Sequence, residues 1–136
     1  MKSILITLIS LALAVSAQAD LKKIQGTWKA TAGQLGDFSL PKSLLDKMVL
    51  IIKDDTYDYD EGHGHDVGKL KEIKDSKPLA MDIFGTEGPN KGKTIPTIYK
   101  LEDKVLTICY GLDGKRPKSF EDKGKRILLM TFKLPE

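Results

Sequence analysis

The chain has 136 residues, 40% of them hydrophobic and 30% charged, with 22 basic and 19 acidic side chains, one Cys and a formal net charge of +3. That is enough chain for one small globular domain, and a single cysteine excludes a disulfide scaffold. Basic and acidic residues are interspersed, as at Asp54-Asp55, Lys69 and Lys71, and Glu102-Asp103-Lys104, so no surface of one sign emerges and no nucleic acid partner is expected.

Residues 1–19 carry Lys2, an apolar run from Ile4 to Val15, and then Ser16-Ala17-Gln18-Ala19, with small residues at the last and third-last places. This is the pattern of a secretory signal peptide cut after Ala19, so the expected domain spans 20–136 and resides in the periplasm or outside the cell. Position 20 is Asp and the sole Cys is Cys109, so lipid attachment behind the leader is not expected. The longest later apolar run, Met48 to Ile52, stops at Lys53, far short of the roughly 20 residues of a membrane-spanning helix. The mature form is expected to be soluble, without a membrane span, and monomeric. Cys109 is either buried and inert or a point of intermolecular coupling; burial is favoured, because the residue sits in an apolar strand pattern.

Ile24, Gly26, Trp28, Ala30 and Ala32 alternate with polar residues, which predicts a strand with one buried face. Pro41 then stands at a plausible first helical position before Leu44-Leu45, predicting one short helix over 41–47. Residues 48–53 are rich in branched side chains, and in 56–60 Tyr57 and Tyr59 share one face with Asp58 and Asp60 on the other; both segments read as strands, with Asp54-Asp55 as the turn between them. Gly62-His63-Gly64-His65 interrupts the pattern before an exposed or edge-like strand over 67–73 and a further strand over 79–84. Residues 85–93 hold three Gly and a Pro and read as a surface loop, whose Lys91 and Lys93 are available to an acidic partner. A hairpin follows, 94–101 and 105–111, joined by Glu102-Asp103-Lys104. Residues 112–125 are polar and turn-rich, and the last strand, 127–134, puts Leu128, Met130, Phe132 and Leu134 on one face.

Eight short strands with almost no helix predict an antiparallel up-and-down meander. Closure into an eight-stranded barrel removes both sheet edges and leaves an interior that is filled by side chains or holds one small ligand. A two-sheet sandwich is the competing arrangement.

Gly26-Thr27-Trp28 resembles the Gly-x-Trp element of lipocalins and related calycin barrels, whose Trp packs across one end of the barrel. The longer assembly is Gly26-Thr27-Trp28-Lys29, Ala80-Met81-Asp82-Ile83, the segment from Gly85 to Thr94, Ile98-Tyr99-Lys100-Leu101 and Leu106-Thr107-Ile108-Cys109-Tyr110. It is similar to the secreted lipocalin-like domain family of planctomycete-type bacteria, an uncharacterised family with a calycin-like barrel. The resemblance covers nearly all of the mature chain and implies fold and export but no reaction. It also implies a basic residue of the last strand packed on the Trp, a place that Arg126 or Lys133 would take. Arg126 is preferred because it shares the parity of Leu128 and Met130.

Trp28, Tyr99, Tyr110, Met130 and Phe132 are candidate lining residues for a small apolar or amphipathic ligand, with the small Ala30 leaving room and Arg126 at the Trp. The same side chains equally suit a filled core. In that alternative the protein is a protein-binding module, or an inhibitor of an extracytoplasmic enzyme, that presents its N-terminal segment or long loops. Glu61, His63, His65 and Asp66 have metal-ligand chemistry, but two flanking glycines and the lack of a fixed third strong ligand leave no metal assigned. Asp58, Asp60 and Gly62 fall short of a calcium loop. Gly92-Lys93-Thr94 has the end of a phosphate loop, but position 87 is Glu and a strand follows where a helix is needed. No cofactor is expected. Neither is an enzyme: the acidic pairs sit in solvated turns that give no cause for a displaced pKa.

Overall fold

The computed structural model describes residues 18–135, so the expected leader lies outside the described residues except for positions 18 and 19. Helix α1 (Gln18–Lys23) leads into β1 (Gly26–Leu35), which is followed by β2 (Phe38–Ser39), α2 (Lys42–Leu45), β3 (Val49–Lys53) and β4 (Thr56–Asp60). The chain continues through β5 (His65–Ile73), β6 (Ala80–Glu87), β7 (Thr94–Glu102), β8 (Val105–Gly111) and β9 (Ile127–Lys133). Every neighbouring pair is antiparallel, the order is β2-β1-β3-β4-β5-β6-β7-β8-β9, and β1 also pairs with β9. The result is a closed eight-stranded up-and-down barrel, with β2 as an extra two-residue strand on β1. Closure rules out the sandwich. No helix of the described residues is long and apolar enough to cross a membrane.

Several expectations need correction. Among the described residues there are two short helices, the expected one between β1 and β3 and a second, Gln18–Lys23. Strand β5 is not an edge: residues 65–69 pair with β4 and residues 67–73 with β6. The alternation of β1 breaks at a bulge between Ala30 and Ala32, where the register steps from Ala30↔Phe132 to Ala32↔Thr131. The extra residue reverses which side chains point inward. Gly33, not Ala32, therefore faces Met130, and Ala32 is exposed. Gly33 is small for a reason: a Cβ there would lie 2.6 Å from Leu40 Cδ1 and 2.8 Å from Met130 Sδ. The missing methyl lets the chain leading into α2 fold over the barrel rim, where Leu40 and Leu45 join the core.

Two apolar clusters sit on opposite faces of the sheet. The larger fills the barrel and includes Trp28, Tyr99, Leu106, Met130 and Phe132, all 1% exposed or less. The smaller, Ala80, Ile98, Cys109 and Ile127 with Leu129 and Phe120 packed on it, lies outside the barrel. Such an outer face has to be kept dry, and the turn-rich connection after β8 does this by folding back over the sheet. Arg116 holds that strap, donating from Nη1 to the carbonyls of Thr97 (2.9 Å) and Met81 (3.3 Å) and from Nη2 to Asp82 Oδ1 (2.6 Å). Lys100 Nζ stands 4.8 Å above the Phe120 ring and pins the far end.

Candidate functional site

The barrel interior is not filled uniformly. A cavity of about 260 Å³ runs inward from the end that carries the β4–β5, β6–β7 and β8–β9 loops. Its apolar walls come from Leu50 and Ile52 of β3, Leu70 of β5, Met81 and Ile83 of β6, Ile95 of β7 and Ile108 of β8. Alternation explains the set, since these are the inward positions of their strands. Leu112 at the start of the strap connection, Leu128 of β9 and Pro89 of the β6–β7 loop border the mouth.

The polar groups of the cavity are Glu61, Asp66, Asn90 and the three tyrosines Tyr57, Tyr59 and Tyr110. Asp66 is an inward position of β5 and only 6% exposed. It accepts hydrogen bonds from Asn90 Nδ2 (2.8 Å) and Tyr57 Oη (3.3 Å). The Asn90 contact ties the β6–β7 loop down at the mouth, and that loop is braced internally by Gly92 N to Gly85 O and Lys93 N to Asn90 O. Gly88 must be glycine here, with φ +89° and a notional Cβ that would collide with the His65 carbonyl. Tyr59 donates to Met48 Sδ (3.2 Å), and its ring meets Phe132 edge-on at 6.0 Å between centroids.

Burial, and then the charge of Asp66, push the Tyr57 hydroxyl above the ordinary phenol value; burial followed by Glu61 does the same for Tyr59. Tyr110 is raised as well, chiefly by burial. These hydroxyls stay protonated and act as donors. The Glu61 carboxyl is also raised, by burial and then by the nearby negative charge of Asp66, with His63 opposing the shift.

Of the residues expected to line a site, Tyr110 alone borders this cavity. Trp28 is buried away from it, donating from Nε1 to the Ile24 carbonyl (2.9 Å). Tyr99 is buried too, its hydroxyl donating to Glu72 Oε1 (2.6 Å). Met130 and Phe132 fill the remaining interior, and Ala30 borders a separate groove between β1 and α2. Arg126 does not pack on Trp28: it is exposed in the turn before β9, and its carbonyl accepts from Leu112 N (2.8 Å). Arg126 precedes the first residue of β9, so the alternation of that strand does not extend to it.

The Glu61-His63-His65-Asp66 group separates for a related reason. His65 is an outward position of β5, 2.7 Å from Asp58 Oδ1 and 3.9 Å from Asp60 Oδ2, while its neighbour Asp66 points inward. His63 Nε2 lies 4.0 Å from Glu61 Oε2 at the mouth. Among the described residues no group of three or more His, Cys, Asp or Glu could hold a metal ion. Sequence reasoning missed Tyr57, Tyr59, Glu61, Asp66 and Asn90 as lining residues. The signal for the tyrosines was the inward face of 56–60; for Asp66 it was its parity with Leu70. No family model, curated protein or solved structure matches this chain.

Proposed function

We propose that the protein is exported and binds a small apolar or amphipathic molecule in the loop end of its barrel. The observation that carries this reading is the cavity of about 260 Å³, with apolar walls and polar groups gathered toward the mouth. Its volume is close to the roughly 300 Å³ at which small-molecule pockets begin, and an apolar body with a few placed polar groups is their usual make-up. The resemblance to lipocalin-like barrels supports the same reading. Binding rather than catalysis is favoured because burial keeps the three tyrosine hydroxyls protonated, which suits hydrogen-bond donation and not nucleophilic attack.

A second reading, recognition of another extracytoplasmic protein, draws on the β1–β2 hairpin, where Phe38 is 62% exposed beside Leu35 at 37%. Native mass spectrometry of the protein purified from its own host separates the two. The ligand reading expects a retained mass of a few hundred daltons that is lost in Leu128→Trp, a substitution that fills the cavity mouth. A co-purifying chain with an empty barrel refutes it.

A further inference from the structure

We infer that the molecule held in this cavity is an organic cation, an amine with a compact apolar body, whose charged head sits between Glu61 and Asp66 against the tyrosine rings. The inference rests on the binding reading above and names its ligand class. Among the described residues, two carboxylates line the cavity and no Lys, Arg or His does. Lys91 and Lys93 belong to the loop at the mouth but are exposed and outside the lining.

Asp66 is the decisive residue. It is 94% removed from solvent in a mostly apolar barrel, and the partners that reach it, Tyr57 and Asn90, are neutral donors. Neutral donors offset part of the desolvation cost of a carboxylate, but not its field. Glu61 brings a second negative group close enough to feel the first: burial and then the charge of Asp66 raise its carboxyl pKa, against the opposing effect of His63. Low-dielectric walls focus the combined potential into the cavity. A cation entering there relieves the repulsion and gains charge-assisted hydrogen bonds, whereas an anion meets both carboxylates. Tyr57, Tyr59 and Tyr110 add aromatic faces, which attract ammonium groups more strongly once water is excluded. The space corresponds to about nine water volumes at ~30 Å³ each, which fits a single-ring or short-chain amine.

Isothermal titration calorimetry with three probes of one shape tests this: 2-phenylethylamine (cation), 2-phenylethanol (neutral) and 3-phenylpropanoate (anion). The amine is expected to bind at least about tenfold tighter than the alcohol, with the acid weakest. Glu61→Gln should weaken the amine about tenfold and cut its advantage over the alcohol, and Leu128→Trp should abolish both. Glu61 is partly exposed, so Glu61→Gln decides the matter even if Asp66→Asn fails to fold. Equal binding of amine and alcohol, both lost in Leu128→Trp, overturns the cation inference and leaves the binding site standing. Amine binding that survives Leu128→Trp places it outside the cavity and overturns the inference as well. No binding of any probe overturns both readings.

Discussion

Replacing Arg116 with Met should open the outside of the barrel and make Cys109 reactive. Cys109 is fully buried, but on the outer face, with Sγ 4.0 Å from the Ser119 carbonyl of the strap. Burial pushes its thiol up to about 11, so at pH 8 only about one thiol in a thousand is ionised in the closed state. Labelling must therefore wait for the strap to lift. Arg116 makes three charge-assisted hydrogen bonds that hold it down. Each would be worth about 1.5–3 kcal/mol in a dry site. Because Arg116 and Asp82 are 31% and 28% exposed, solvent screening reduces each bond to ~1 kcal/mol, or about 2–3 kcal/mol together. At one decade per 1.4 kcal/mol, the open population rises about 30- to 150-fold. The assay is the rate of reaction with an aromatic disulfide reagent under native conditions, beside the global stability from urea unfolding. Asp82→Asn should give a smaller rise, since the two carbonyl bonds remain. Labelling of the unmodified protein at the rate of a free thiol, or an unchanged rate in Arg116→Met, would refute the reasoning.

The remaining predictions concern packing and protonation. Trp28→Ala should cost about 3–5 kcal/mol in urea unfolding followed by circular dichroism, and Trp28→Phe about 1 kcal/mol through loss of the bond to the Ile24 carbonyl; a loss below 1 kcal/mol for the alanine would contradict the packed position. At Gly68 a Cβ would drive into the Phe84 carbonyl across the strand pair and stand 2.8 Å from the Tyr57 ring. Gly68→Ala should therefore cost about 1–3 kcal/mol, while Gly64→Ala, with nothing within 4 Å, should stay within about 0.5 kcal/mol. By NMR, His65 should titrate above 6.5 because of its hydrogen bond to Asp58 and that carboxylate's charge, and Asp58→Asn should bring it back. A raised folded pKa means the stabilising contribution is complete below 6.5 and disappears as pH rises through the folded value. Glu61 should titrate above 4.5 and move down in Asp66→Asn, with the same sign: its contribution is present below 4.5 and lost as pH rises.

Strand positions were legible in the amino-acid order because a half-buried strand writes its burial as alternation. The segments 56–60 and 105–111 coincide with β4 and β8, and the inward pair Tyr57 and Tyr59 follows from period two. The helix before β3 was marked by Pro41 and Leu44-Leu45, and the β7–β8 hairpin by its tight link, where Asp103 and Lys104 both adopt positive φ (50° and 64°). The outer cluster left a weaker trace: Ile95 to Tyr99 is buried at every position, as in strands covered on both faces.

The rest was settled only in three dimensions. Local alternation says that two faces differ, but not that one inserted residue at the β1 bulge exchanges them, which is why Ala32 turned outward and Gly33 inward. Burial of Cys109 depends on Arg116, which is distant from Asp82 in sequence and beside it in space. Whether inward side chains fill a barrel or leave a void depends on the summed volume of residues from eight strands meeting across it. Trp28, Tyr99, Met130 and Phe132 are therefore core, and the open space lies beside Tyr57, Asp66 and Tyr110. The sequence by itself determined the two-faced alternation of the regular strands, since that is a property of neighbouring peptide units. Where the interior stays empty, and which charges face the void, was decided by closure, because both are properties of strands that meet only after the chain has folded.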